Sequence, residues 1–447
     1  MKNKNLRYIC SSCGHVESKW MGRCPECGQW NSFEEEVIVK EVKNNGNAVM
    51  DQSLRKLSDV SSSSSIRLSS GFDELDRVLG GGIMLPSSVI VGGEPGIGKS
   101  TLMLEALAYI SKKDSVLYVS GEESPVQVKS RAERLDLDCE NIYIYSNTNL
   151  ESVVSQIEKI KPAVVVIDSI QTLFSSEVES IQGTITQIRA CALALSLLAK
   201  KLNFCVFFIA HVTKDGNIAG PKIIEHMVDT VLYFESAENG VRLLRTSKNR
   251  FGSVDEIGFF SMDSKGLHGI KNPNEIFIMN REEENLPPGI AFTAAVEGTR
   301  TFIIELQALV VPAKSGLQRI YSDKIDISRV SRVAAILERH IGLHLSDKDI
   351  YVNIAGGVKV KDVSLELPLA LAIYSSAFNR SLSEKTISFG ELSLAAEVRN
   401  TASSSRMIKT ARDAGFENII CPYENKKDGN LRVKTLKTAV KTAFALG

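Results

Sequence analysis

Residues 89–101 read Val-Ile-Val-Gly-Gly-Glu-Pro-Gly-Ile-Gly-Lys-Ser-Thr and run on into Leu-Met-Leu-Glu-Ala-Leu-Ala. An apolar run, a glycine-rich turn and a helix-period stretch follow one another. Gly93, Gly98, Lys99 and Ser100 fall in register with the phosphate-loop pattern GxxxxGK[ST]. Glycines let backbone N–H groups close around phosphate oxygens, and a helix start adds its partial positive charge. The cradle Gly93-Glu94-Pro95-Gly96-Ile97-Gly98-Lys99-Ser100-Thr101 is therefore expected to hold a nucleoside triphosphate. Lys99 would reach the β- and γ-phosphates as a point charge, and the Ser100 hydroxyl would ligate Mg2+.

A second constellation lies near the start of the chain. Cys10, Cys13, Cys24 and Cys27 make two Cys-x2-Cys pairs separated by ten residues. Two such knuckles present four thiolates tetrahedrally to one Zn2+. Gly14, Gly22 and Gly28 suit the tight turns, Pro25 stiffens the second knuckle, and Trp30 and Phe33 are expected to cap the small fold. With four cysteines completing the shell, His15 is not expected to be a ligand. Cys139, Cys191, Cys205 and Cys421 stand in apolar contexts and read as buried small residues.

Carboxylates come next. Ala163-Val164-Val165-Val166-Ile167 ends in Asp168-Ser169, which places a carboxylate to hold Mg2+ opposite Ser100. Tyr118-Val119-Ser120 leads into Gly121-Glu122-Glu123-Ser124-Pro125, and either Glu122 or Glu123 would orient or deprotonate the attacking water. The competing reading is an acidic pair favoured by a helix N-terminus. His211, after the Phe204–Ala210 run, is a γ-phosphate sensor or simply a hydrogen-bonded residue at a strand end.

The elements that must position these groups follow from periodicity. Apolar strand-like runs at 88–92, 115–120, 163–167, 204–210 and 230–235 alternate with amphipathic helical stretches such as 182–202. That order predicts an α/β fold with a largely parallel sheet covered on both faces, and ligands at the carboxyl ends of its strands. Gly71–Leu79 has helical spacing and ends at Gly80-Gly81-Gly82. Residues 34–65, with Glu34-Glu35-Glu36 and the serines from Ser61 to Ser65, read as a linker. The expected domains are a four-cysteine finger at 1–33, this linker, an ATPase domain at 66–269 and a third domain at 270–447. Lysine plus arginine balance aspartate plus glutamate at 53 each, so no global field announces a nucleic-acid or membrane partner. No segment reads as a signal peptide or membrane span, which places the chain in the cytoplasm.

The phosphate loop, Gly-Glu-Glu-Ser, the strand into Asp168, and His211-Val212-Thr213-Lys214-Asp215-Gly216 followed by Ala219-Gly220-Pro221-Lys222 together resemble the RecA-type ATPase core. Lys248-Asn249-Arg250-Phe251-Gly252 is similar to the KNRFG motif of the bacterial RadA (Sms) family, whose order of finger, RecA-like core and third domain also fits the whole chain. The resemblance implies ATP as the nucleotide. It also implies a ring, commonly a hexamer, in which Lys248 and Arg250 reach a neighbour's ATP site or couple it to DNA. Lys214 and Lys222 would lie on a loop facing DNA. The implied activity is a DNA-dependent ATPase motor in homologous recombination and DNA repair, extending or migrating branches alongside RecA, on single-stranded and branched DNA.

The third domain resembles the α+β proteolytic domain of Lon proteases at Phe389-Gly390-Glu391-Leu392-Ser393 and Ala411-Arg412-Asp413-Ala414-Gly415. Ser364 falls near the nucleophile position, but the lysine position falls on Ser405, and Lys409 lies about one helical turn away. A hydroxyl cannot serve as that base, so the domain is expected to be proteolytically inactive. From Arg399 onward ten lysines and arginines face four acids, consistent with a phosphate-facing surface or an ordinary solvated one. An ATP-dependent protease and a nucleotide-gated scaffold or KaiC-like phosphotransferase are the alternative functions.

Overall fold

The computed structural model describes residues 6–11, 13–37, 67–211, 223–237, 240–254, 256–274, 286–313, 318–322, 324–357, 360, 362–424 and 428–445. Most of the expected linker, and both Lys214 and Lys222, lie outside them. The chain divides into two compact units: residues up to Ser236 with Arg242–Gly269, and Ala237–Val241 with Ile270–Gly447.

At the start, β1 (Leu6–Cys10), β2 (Val16–Glu17) and β3 (Phe33–Val37) form an antiparallel sheet in the order β2-β1-β3. Glu34-Glu35-Glu36, expected in the linker, thus belong to β3 and pair with Arg7, Tyr8 and Ile9. Main-chain pairing with β1 overrides the charged composition, as it does wherever side chains alternate off a pleat.

The nucleotide core follows. Its elements are β4 (Arg67–Leu68), α1 (Asp73–Val78), β5 (Ile83–Met84), β6 (Ser87–Gly93), α2 (Lys99–Ile110), β7 (Val116–Ser120), α3 (Pro125–Arg134), β8 (Ile142–Tyr145), α4 (Leu150–Ile160), β9 (Val164–Asp168), α5 (Ile185–Leu202) and β10 (Cys205–His211). Then come α6 (Ile223–Met227), β11 (Thr230–Ser236), β12 (Arg242–Asn249), β13 (Ile257–Asp263) and β14 (Gly266–Gly269). The strands make one sheet in the order β14-β13-β12-β11-β6-β10-β9-β7-β8. From β8 to β11 every pairing is parallel, and β12 to β14 extend the sheet antiparallel.

Period two explains why the parallel strands are apolar throughout. Val89 and Val91 of β6, Val164 and Val166 of β9, and Phe207 and Ile209 of β10 pack in one core with Leu102, Met103 and Val128 from α2 and α3. Their neighbours Ile90, Val165, Ile167, Val206 and Phe208 pack in a second core with Val153, Ile157, Ile188 and Leu195 from α4 and α5. Both faces are buried, so both side-chain sets must be apolar. The chain runs outward from β6 to β7 and β8 and returns through β9 and β10, so the carboxyl ends of β6, β10, β9 and β7 stand side by side, the place where such sheets bind ligands.

The second unit holds β15 (Ile290–Glu297), β16 (Arg300–Pro312), β17 (Ile320–Ser322), α7 (Ile327–Ile341), β18 (Lys348–Ile354), α8 (Glu366–Phe378), β19 (Thr386–Ser388), β20 (Glu391–Leu392), β21 (Val398–Arg399), α9 (Ser404–Asp413), β22 (Asn418–Pro422), β23 (Leu431–Val433) and α10 (Leu436–Ala443). Its main sheet runs β17-β18-β16-β15-β19-β22-β23, mixed in direction, which is an α+β arrangement.

One contact ties the phosphate-loop helix to the sheet extension. Glu105 on α2 accepts the Leu267 N–H of β14 through both carboxylate oxygens, at 3.2 and 3.3 Å. Gly266 beside it has φ +117°, and a Cβ there would lie 1.9 Å from Glu105 Oε1. Burial pushes the Glu105 carboxyl up to about 7. The folded chain therefore keeps a proton that the unfolded chain releases near 4.5, so stability falls as pH rises through that window. Glu105→Gln keeps an acceptor and removes the titration. Its denaturation midpoint is expected to fall less than the parent's between about pH 4.5 and about pH 7; parallel declines would clear Glu105 of the effect.

Candidate active site and zinc centre

The two cysteine knuckles are built alike. Gly14 N–H donates to Cys10 O at 2.8 Å and Gly28 N–H to Cys24 O at 2.9 Å. Cys10 N–H donates to His15 O at 2.8 Å, and Cys24 N–H to Gln29 O at 2.9 Å. Each turn closes on a glycine with positive φ, +76° at Gly14 and +73° at Gly28, a region that a Cβ disfavours. The result brings all four Sγ atoms within 4.8 Å of one another, with Cys10–Cys27 and Cys13–Cys24 each 3.6 Å apart. A tetrahedron with Zn–S bonds of about 2.3 Å has edges of about 3.8 Å, so the donor set fits zinc. Burial foremost pushes the Cys13 thiol up to about 12 without a metal, and Zn2+ supplies the charge that makes thiolates stable there. His15 bonds Glu17 at 3.0 Å instead.

Phe33 packs with Cys10 and Cys24 as expected, but Trp30 does not cap the fold: it is 68% exposed. Phe33, at the start of β3, and the partly buried Tyr8 supply the rings packed on this cluster instead. Cys191, Cys205 and Cys421 are buried, while Cys139 is half-buried.

The phosphate loop leaves β6 at Gly93 and enters α2 at Lys99. Gly96 and Gly98 take φ of +77° and +111°. A Cβ at Gly96 would meet nothing within 4 Å, so the loop is open on that side and a ligand can approach its backbone. At Gly93 a Cβ would come 2.6 Å from Phe234 O, which is why no side chain fits there. Lys99 Nζ donates to Gly93 O at 2.8 Å and Glu94 O at 2.9 Å. Burial lowers its pKa, with Asp168, Glu122 and Glu94 opposing. Phosphate oxygens bound on the loop would take over from those carbonyls as partners for the ammonium.

Asp168, Glu122 and His211 all stand at the carboxyl ends of parallel strands around this loop. Asp168 ends β9 and accepts from the Tyr118 hydroxyl of β7. Burial and Asp168 hold the Tyr118 phenol well above its ordinary value, so it stays a donor. Glu122 accepts from Ser169 Oγ at 2.6 Å and contacts His211 Nε2 at 3.3 Å. Burial opposes its ionisation, but Ser169 and His211 outweigh it and hold the carboxyl below the usual range. Glu123 instead pairs with Arg131 of α3. The geometry thus separates two glutamates that the sequence left equivalent: Glu122 faces the lysine, and Glu123 is tied to a helix. Ser169, Tyr118 and Arg131 escaped sequence reading, since each is an ordinary residue of its strand end, core strand or helix.

Lys248 and Arg250 also part ways. Lys248 lies within β12, and its Nζ donates to the carbonyls of Glu225, His226 and Val228 at 2.7, 3.2 and 2.8 Å. It therefore caps the C-terminal end of α6, where a cation meets unpaired carbonyls. Arg250 is 55% exposed and pairs with Asp229 at 3.5 Å. Asn249 shapes the turn by accepting from Phe251 N–H at 2.9 Å, and Gly252 packs on Gly80 so closely that a Cβ would lie 2.8 Å from its Cα.

In the second unit Ser364 sits in a short 3-10 turn before α8, and its Oγ is buried with no hydrogen-bond partner among the described residues. Ser405 and Lys409 are exposed on α9.

Comparison with known proteins agrees with this geometry. Residues 8–35 match the family described as a rubredoxin metal binding domain, residues 54–217 an AAA domain, and residues 321–425 the subunit ChlI of Mg-chelatase. The chain is 46% identical over 432 residues to DNA repair protein RadA of Treponema pallidum, covering 96% of this chain and 94% of that protein. Its identity to DNA repair protein RadA of Rickettsia bellii is 44% over 425 residues, with 94% of each chain covered. Against the Bacillus subtilis protein of the same name it is 41% over 432 residues, covering 95% and 94%. A finger that fits zinc, a phosphate loop with its lysine and carboxylates assembled, and similarity along nearly the whole length have one reading: the chain belongs to the DNA repair protein RadA family.

Proposed function

We propose that the chain is a DNA-dependent ATPase that processes or branch-migrates recombination intermediates, working as a ring, commonly a hexamer, together with RecA on single-stranded and branched DNA. The observation that carries the catalytic part is the gathering of Lys99, Asp168 and Glu122 around one open glycine loop. In this reading ATP lies on Gly93–Thr101, and Ser100 and Asp168 hold Mg2+, which neutralises charge on the phosphates. Glu122, held ionised by Ser169 and His211, orients and deprotonates the attacking water. Glu123 keeps α3 in place through Arg131.

The same reading gives Arg250 the role across a subunit boundary, because its guanidinium is exposed and weakly held. Lys248 supports the segment from Ile223 onward, directly after the stretch bearing Lys214 and Lys222, for which DNA contact is proposed. The third domain acts as a scaffold rather than a protease, since the Ser364 hydroxyl is buried and has no hydrogen-bond partner among the described residues.

ATP turnover with and without single-stranded DNA tests this, with Lys99→Ala as the blank. DNA is expected to stimulate the parent strongly and the blank not at all; turnover indifferent to DNA overturns the motor. Glu122→Gln is expected to lose roughly 100-fold or more in kcat, and Glu123→Gln much less. The reverse order would exchange their roles. Lys99→Ala and Arg250→Ala chains, each inactive alone, are expected to recover turnover when mixed, because a shared site can then be complete. No recovery counts against action in trans. Casein is expected to survive prolonged incubation; cleavage lost in Ser364→Ala would restore the protease reading.

A further inference from the structure

The finger keeps its largest rings outside. Trp20 is 54% exposed and Trp30 is 68% exposed, with Met21 at 40% between them in sequence. Burial rewards an indole more than any other side chain, so a fold that leaves both out has another use for them. The finger does not need them for stability, because the cysteine tetrahedron and Phe33 form its core.

Their arrangement is specific. A Cβ built on Gly22 would lie 3.8 Å from both indoles, so the two rings flank the same glycine. Arg23 and Trp30 pair across the second knuckle, and Arg23 Nε is anchored on Gly28 O at 3.0 Å. That anchor holds the guanidinium carbon 5.9 Å from the centre of the Trp30 ring. Lys19, next to Trp20 in sequence, is exposed, and the neighbouring acid Glu17 is engaged by His15. Glu26 is the exposed acid of this knuckle. The module therefore presents two exposed indoles flanking a residue without a side chain, with Arg23 over Trp30 and Lys19 next to Trp20 in sequence.

We infer that Trp20 and Trp30, flanked by Lys19 and Arg23, form a stacking site for the unpaired bases of a single-stranded nucleic acid. Bases stack on exposed aromatic rings without regard to sequence, and adjacent cations meet the phosphates. A duplex hides its base faces and cannot use such a site. Gly22 leaves the gap between the rings open for a base edge. This rests on the proposal that the chain works on DNA, but it names a separate part of the molecule and a separate chemistry.

The chain contains two tryptophans, and both lie in the finger, so the intrinsic tryptophan emission of the intact, zinc-loaded protein reports on this site alone. Oligo(dT) and oligo(rU) are titrated against it beside a duplex of the same length, with binding followed independently by the anisotropy of a labelled strand. The single strands are expected to quench the emission saturably and the duplex far less; the ratio of dT to rU shows which sugar is preferred. Trp20→Ala and Trp30→Ala should each weaken single-strand binding about tenfold. Trp30→Phe keeps most of the affinity and Trp30→Leu loses it, with one zinc per chain in every variant, which separates stacking from folding. If the labelled strand binds while the emission stays unchanged, or if the duplex quenches equally, the stacking site is wrong and the DNA motor stands. If the strand neither binds nor stimulates ATP turnover, the motor falls with it.

Discussion

An ammonium buried at the mouth of a parallel sheet must be compensated, and much of the nucleotide unit is arranged around that need. Lys99 is satisfied by two loop carbonyls and sits in the field of Asp168 and Glu122. Those carboxylates come from β9 and from the turn after β7, strands that lie near the loop because the chain, having run outward to β8, returns through β9 and β10 to the side of β6. Two cores, one on each face, hold the strands in that order. The charge balance of the site is thus a consequence of sheet topology, and each carboxylate is in turn fixed by a neutral donor, Tyr118 for Asp168 and Ser169 for Glu122. Neutral donors orient a carboxylate without cancelling its charge.

The finger solves the opposite problem. It is too small to bury an apolar core that offsets its chain entropy, so a metal tetrahedron takes that role. Two knuckles of identical hydrogen bonding supply it, each closed by a glycine in the left-handed region. Freed from core duty, the indoles are left for the surface.

In the Lys-Asn-Arg-Phe-Gly stretch four residues do three different things. Lys248 points back to cap a helix, Asn249 and Gly252 make a turn that fits against Gly80, and Arg250 is left outside. A motif of this kind carries its own scaffold along with the group it displays, so a substitution at Lys248 or Gly252 disturbs the display of Arg250 without touching it.

The sequence by itself determined what depends on local chemistry and on periodicity. The phosphate loop, the zinc ligands, the alternation of strands and helices and the placement of Asp168, Glu122 and His211 at strand ends all follow from residue types at short spacing. Composition misled where pairing partners lay elsewhere in the chain: Glu34–Glu36 read as linker yet complete the finger sheet, and Trp30 read as a cap yet stands in solvent. Only tertiary structure gives Glu122 and Glu123 different surroundings, because the residues that distinguish them, Ser169, His211 and Arg131, come from different strands and a helix. It also decided the separate fates of Lys248 and Arg250, and the sealing of Ser364. In each case the deciding force is a hydrogen bond or ion pair between residues distant in sequence, whose geometry exists only once the sheet is assembled.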